Sequence, residues 1–143
     1  MIASRVSKIQ WSFFFVVLLS AMDLQGQTVE DLLTRAELTD FTETTSYEEV
    51  MALSKSLAEL SENIHLTTFG YTNEGRALPL LVVGAPGASA AAVLGTGKTR
   101  VYVQGNIHGG EVCGKEALLM LLRQYAMGRY PSWTDELVLL IAP

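Results

Sequence analysis

The sequence predicts a mixed α/β domain with helices flanking a sheet, and three observations support this. Apolar positions recur at spacings of three and four in two windows, residues 50–64 and 112–125. Short β-branched and apolar runs lie around them, at residues 65–72, 77–83, 99–105 and 137–142. Their order is helix, hairpin, strand, helix, strand, and the last strand–helix–strand unit is expected to close by a right-handed crossover.

The elements follow in turn. Residues 1–20 carry Arg5 and Lys8, then an apolar run from Trp11 to Leu19 broken only by Ser12, then small and polar residues to Gln27. That is the layout of a secretory signal, and a run of this length falls well short of the roughly 20 apolar residues a membrane span needs. Residues 1–26 are therefore expected to be a signal peptide. Residues 27–45 are polar, with Val29, Leu32, Leu33 and Ala36 interspersed, and read as a lead-in segment, a short helix or an extended arm. Ser46-Tyr47-Glu48-Glu49 is a capping box that starts a helix with Val50, Leu53, Leu57, Leu60 and Ile64 on one stripe. Residues 65–72 alternate as a strand, Asn73-Glu74-Gly75-Arg76 forms a turn, and residues 77–83 return as a strand buried on both faces. Residues 84–98 form a small-residue loop with one helical turn at 89–94. Residues 99–105 form a third, buried strand. Residues 111–126 are helical, with Val112, Ala117, Leu118, Met120, Leu121, Leu122 and Tyr125 giving a broad apolar face, and Gly128 stops the helix. Residues 130–135 read as a loop, with Tyr130 and Trp133 as anchors, before the strand at 137–142. That last strand is expected to leave a free sheet edge, and with it poor solubility.

Composition narrows the function. With 49% hydrophobic and 17% charged residues, the chain is a folding one rather than a disordered one. Loss of residues 1–26 removes Arg5, Lys8 and Asp23 and shifts the net charge from −5 to −6. An exported acidic chain without a basic cluster is a poor nucleic-acid ligand. Its single cysteine, Cys113, excludes an internal disulfide and reads as a small buried helix residue.

The stretch Val101-Tyr-Val-Gln-Gly-Asn-Ile-His-Gly-Gly-Glu111 holds the chemistry. It puts His108 and Glu111 at the carboxyl end of a strand, where open α/β sheets bind ligands. Alone, His108 would pass for a polar turn residue and Glu111 for a charge at a helix start. Together, an imidazole and a carboxylate three residues apart suit two of the three protein ligands of a catalytic zinc. Glycines 105, 109 and 110 are expected to let the loop turn tightly enough for both side chains to converge. His65 reads as structural, Arg76 as a surface residue, and Glu116 as a candidate support for the ligand pair.

Three features in order carry a family resemblance: the helix opening Tyr47-Glu48-Glu49, the segment Thr68-Phe-Gly-Tyr-Thr-Asn-Glu-Gly-Arg-Ala-Leu-Pro79, and Gly105-Asn-Ile-His-Gly-Gly-Glu111. Over residues 41–143 the sequence resembles the amino-terminal part of the zinc metallocarboxypeptidases, the family of carboxypeptidase A. The resemblance implies an α/β/α domain, one Zn2+ with His108 and Glu111 as its first two ligands, and a peptide or protein substrate. It also implies that the third ligand, the substrate-binding residues and the general base lie beyond Pro143. Residues 46–143 are thus expected to be the amino-terminal part of a secreted or periplasmic carboxypeptidase domain, a fragment inactive by itself. Gly109-Gly110 departs from the small residue plus arginine of many relatives, so that arginine's role does not carry over. Two alternatives stand beside the enzyme. One is a non-catalytic binding protein or remnant on the same scaffold. The other is an α/β-hydrolase-type esterase with His-Gly-Gly as oxyanion hole, for which the sequence holds no Gly-x-Ser-x-Gly elbow.

Overall fold

The computed structural model describes residues 26–143, so the signal segment read at residues 1–26 lies, but for Gly26, outside the described residues. Among the described residues no helix is long and apolar enough to cross a membrane.

The lead-in is ordered as a 3-10 turn at Val29–Asp31 and a one-turn helix, α1 (Arg35–Leu38). Helix α2 (Tyr47–Leu60) starts as its sequence dictates, with a reciprocal capping box. Ser46 Oγ accepts from the Glu49 amide, and the Glu49 carboxylate accepts from the Ser46 amide at 2.7 Å. Strands β1 (Ile64–Tyr71) and β2 (Ala77–Val83) form the expected hairpin, with Gly75 at φ 80° in the turn and an irregularity between Thr68 and Gly70. Helix α3 (Ala90–Gly95) precedes β3 (Thr99–Gln104), and helix α4 (Val112–Ala126) leads through α5 (Pro131–Glu136) into β4 (Leu137–Ala142).

The sheet order is β1-β2-β4-β3. Strand β4 is antiparallel to β2, pairing Leu81 with Ile141, and parallel to β3, pairing Tyr102 with Leu140. The expectation of a free edge at residues 137–142 is therefore corrected: β4 is interior. The edges are β1 and β3. Strand β3, expected to be buried, is half covered. Val101 and Val103 pack on the main core, while Tyr102 and Gln104 on the other face are exposed. Its alternation Val-Tyr-Val-Gln is the period-two signature of a one-sided strand.

One sheet face carries the main core, where Leu57 of α2 and Leu118 and Leu122 of α4 meet Ile64, Leu81, Leu139 and Ile141. A smaller cluster on the opposite face joins Val82 and Val138 to Val93 of α3. Leu118, Leu119 and Leu122 set the inward face of α4, which turns Cys113 and Ala117, four residues apart, toward solvent. Cys113 is thus exposed rather than buried. Residues 131–136, read as loop, are helical. Pro131 at the first turn suits a helix, and Trp133 stacks on Tyr130 with ring centroids 5.1 Å apart.

The lead-in is fastened to α4 by buried charges. Arg123 donates to both carboxylate oxygens of Glu37, at 2.6 and 2.5 Å, and to the Leu32 carbonyl at 2.9 Å. Exposed pairs such as Lys55–Glu59 contribute about 0–1 kcal/mol at best. Hydrogen bonds to a charged partner out of water contribute about 1.5–3 kcal/mol, so the buried anchors dominate. The Arg123 hydrogen bonds hold the Glu37 carboxyl below the usual carboxylate range. Burial pushes Glu116 up, but hydrogen bonds from Thr44 and Thr45 and the Lys115 ammonium outweigh it and leave Glu116 low as well.

Both groups favour the fold only when ionised. Their contribution is complete above the ordinary glutamate value of about 4.3 and is lost as pH falls below it through the folded values. Denaturant unfolding between pH 7 and 3 should therefore show stability falling below about pH 4.3. Glu37→Gln should lower stability at pH 7 by about 1.5–3 kcal/mol and flatten the acid decline. An unchanged acid profile in that variant would remove the anchor from the account.

Candidate metal centre

Strand β3 ends at Gln104, and the Gly105 amide donates to the Ala142 carbonyl at 2.9 Å, extending the ladder one residue past the strand. At Gly105 the backbone lies directly against the first turn of α4. A Cβ built there would sit 2.9 Å from the Gly114 carbonyl carbon and from the Lys115 amide nitrogen. No side chain fits, which makes glycine obligatory at this crossing. Asn106 then takes a left-handed conformation at φ 47° and turns the chain into the loop.

The expectation for the other two glycines is corrected. Gly109 and Gly110 have no positive φ, and a Cβ on either would meet nothing within 4 Å. The turn comes from Asn106 and the closeness from Gly105. Asn is the non-glycine residue most tolerant of the left-handed region, so the signal was in the sequence.

The loop closes on itself. The Glu111 amide donates to the His108 carbonyl at 2.9 Å, and the His108 amide donates to Glu111 Oε2 at 3.2 Å. His108 Nδ1 and Glu111 Oε1 are hydrogen-bonded at 2.8 Å. Their side chains are 80% and 56% exposed, so the pair faces outward where a ligand can reach it. The His108 hydrogen bonds hold the Glu111 carboxyl below the usual carboxylate range.

Zinc takes an imidazole nitrogen and a carboxylate oxygen at about 2.0–2.2 Å, and a cation held by this pair would replace the hydrogen bond that joins them at 2.8 Å. The donor set fits zinc chemistry. Among the described residues, no third His, Cys, Asp or Glu joins the pair in a group that could hold a metal.

The other residues singled out in the sequence lie elsewhere. His65 Nε2 donates to the Ala85 carbonyl at 2.9 Å, a structural contact. Arg76 lies over the Tyr47 ring at 5.6 Å and 3.6 Å from Glu74. Glu116 turns from the pair toward Thr44 and Thr45 and does not touch His108 or Glu111. A cavity of about 250 Å³ beside the loop is lined by Tyr47, Phe69, Arg76, Gln104, Asn106 and Lys115, with the His108–Glu111 pair outside it. The buried charges Lys115 and Arg123 were missed in the sequence. Their only signal was that each interrupts an otherwise apolar helix face.

The family model described as zinc carboxypeptidase matches residues 50–139, a span holding the hairpin, the loop and both candidate ligands. No curated protein sequence matches the chain. Solved structures that share its fold include two carboxypeptidases. Carboxypeptidase A from Helicoverpa armigera aligns with a TM-score of 0.57 at 21% identity, over 94% of this chain and 31% of that one. A metallo-carboxypeptidase from Burkholderia cenocepacia aligns with a TM-score of 0.52 at 23% identity, over 68% of this chain and 26% of that one. The chain thus spans under a third of either structure. With most of its described sheet and its His-x-x-Glu loop inside the matched span, the chain belongs to the zinc carboxypeptidase family.

Proposed function

We propose that this chain is the amino-terminal, ligand-bearing part of a secreted or periplasmic zinc metallocarboxypeptidase that hydrolyses carboxy-terminal peptide bonds. His108 and Glu111 are two of its zinc ligands. The convergence of an imidazole and a carboxylate on one exposed point carries the proposal, because a shared ion needs both donors within reach of it. Family membership supports the reaction class, and the acidic balance of the chain argues against nucleic acid as a partner. The α/β-hydrolase alternative loses its ground with the family match.

This chain's own residues do three things toward that chemistry. Glu111, its carboxyl held low by the His108 hydrogen bonds, supplies the negative charge that favours a divalent cation. His108 supplies an imidazole that the loop holds beside that carboxylate. The Gly105 crossing keeps the loop ends from drifting apart. When bound, zinc polarises a scissile carbonyl and lowers the pKa of its water to about 7. In relatives of full length, further residues complete that site. With two protein ligands the chain alone is expected to bind zinc weakly and to leave peptides uncut.

Zinc titrated into the chain by calorimetry should bind more weakly than micromolar, and His108→Ala or Glu111→Gln should abolish binding. Binding of unchanged strength in both variants would place the metal elsewhere. Gly105→Ala drives a Cβ into the α4 backbone, so it should displace the loop and weaken zinc binding by about tenfold or more, the loss typical of disturbed support around ligands. Wild-type affinity in that variant would show that the crossing does not set the site.

A further inference from the structure

Helix α4 opens without the usual fastening. Glu111 is its N-cap yet makes no side-chain capping bond, and the first turn carries no acidic residue. Glu111 instead spends its carboxylate on His108. The buried charges of α4 nearest the loop bond to the lead-in. Lys115 and Glu116 are each only 7% exposed. Lys115 Nζ donates to the Thr45 carbonyl. Glu116 Oε1 accepts from Thr44 Oγ1 at 2.6 Å and from the Thr45 amide at 2.7 Å, and Oε2 accepts from Thr45 Oγ1 at 2.7 Å. Thr45 is itself fixed, since its hydroxyl accepts from the Arg35 amide at 3.1 Å and its neighbour Ser46 caps α2.

We infer that Lys115 and Glu116 are positioning residues for the metal-ligand loop. By gripping Thr44 and Thr45 they press the first turn of α4 onto Gly105 and so set the separation of the His108 and Glu111 donor atoms. The loop from Asn106 to Glu111 then has two fixed ends. One is tied to the sheet through Ala142, the other to the lead-in through Thr45. The inference rests on the proposed metal role of the pair. The fold supplies its own comparison: Arg123 binds the same lead-in through Glu37, but two turns further along α4 and away from the loop.

Glu116→Gln, Thr44→Val and Glu37→Gln should be compared in the full chain by thermal unfolding, by exchange of the Glu111 amide, and by titration with Zn2+ alone. Glu116→Gln is expected to speed Glu111 amide exchange and weaken Zn2+ binding by about tenfold or more. Thr44→Val, which removes one bond at the surface and preserves the fold should Glu116→Gln not, is expected to move both in the same direction by less. Glu37→Gln should lower the melting temperature while leaving Glu111 exchange and Zn2+ affinity unchanged. Equal loss of affinity in Glu37→Gln, or unchanged Glu111 exchange in both other variants, overturns the inference. Should the unaltered chain bind no Zn2+, the metal role fails by itself, and the amide-exchange comparison still decides whether the Glu116 contacts with Thr44 and Thr45 position the loop.

Discussion

Everything at the candidate metal centre depends on two backbones touching. Where β3 ends, Gly105 lies against Gly114 and Lys115 so closely that a single added carbon would come within 2.9 Å of main-chain atoms. Strand and helix are thereby locked at a fixed separation, and the six residues from Asn106 to Glu111 must fold back in a short loop. Asn106 accepts the left-handed conformation this demands. The fold-back brings His108 Nδ1 and Glu111 Oε1 to 2.8 Å, in a part of the chain otherwise open to water. The pair's geometry thus combines close packing behind the loop with a direct hydrogen bond between its two members.

Close packing needs something to press the helix home, and apolar burial alone gives a helix freedom to slide or roll. Charged groups withdrawn from water are less forgiving. A buried carboxylate or guanidinium must meet its partners at the right distance or lose several kcal/mol. Helix α4 carries two such fasteners, Lys115–Glu116 near the loop and Arg123 further along, and both close on residues 32–45. The lead-in is therefore part of the structural unit that holds the site, although its sequence reads as a polar arm.

Local signals in the sequence transferred well to the structure. The Ser46–Glu49 capping box, the turn glycine at 75 and the apolar runs at Ala77–Val83 and Leu137–Ala142 each encode their element within a few residues. His108 and Glu111 were legible because three residues of loop suffice to bring them together. What required the third dimension was not legible. Nothing in residues 137–142 says that they insert between β2 and β3, and so the edge was assigned to the wrong strand. The apolar count of α4 gave the helix but not its rotation, which decides that Cys113 faces water and Lys115 does not. Gly109 and Gly110 looked like the turn-makers because glycine is permissive, yet the turn is made at Asn106.

The central claim is that one cation is shared by an imidazole and a carboxylate held at opposite ends of a four-residue turn. A crystal of the chain grown with zinc, located by its anomalous scattering, tests this most directly. The account predicts one zinc at about 2.0–2.2 Å from His108 Nδ1 and from a Glu111 carboxylate oxygen. Zinc bound at other residues, or to only one of these two with the other turned away, would contradict it.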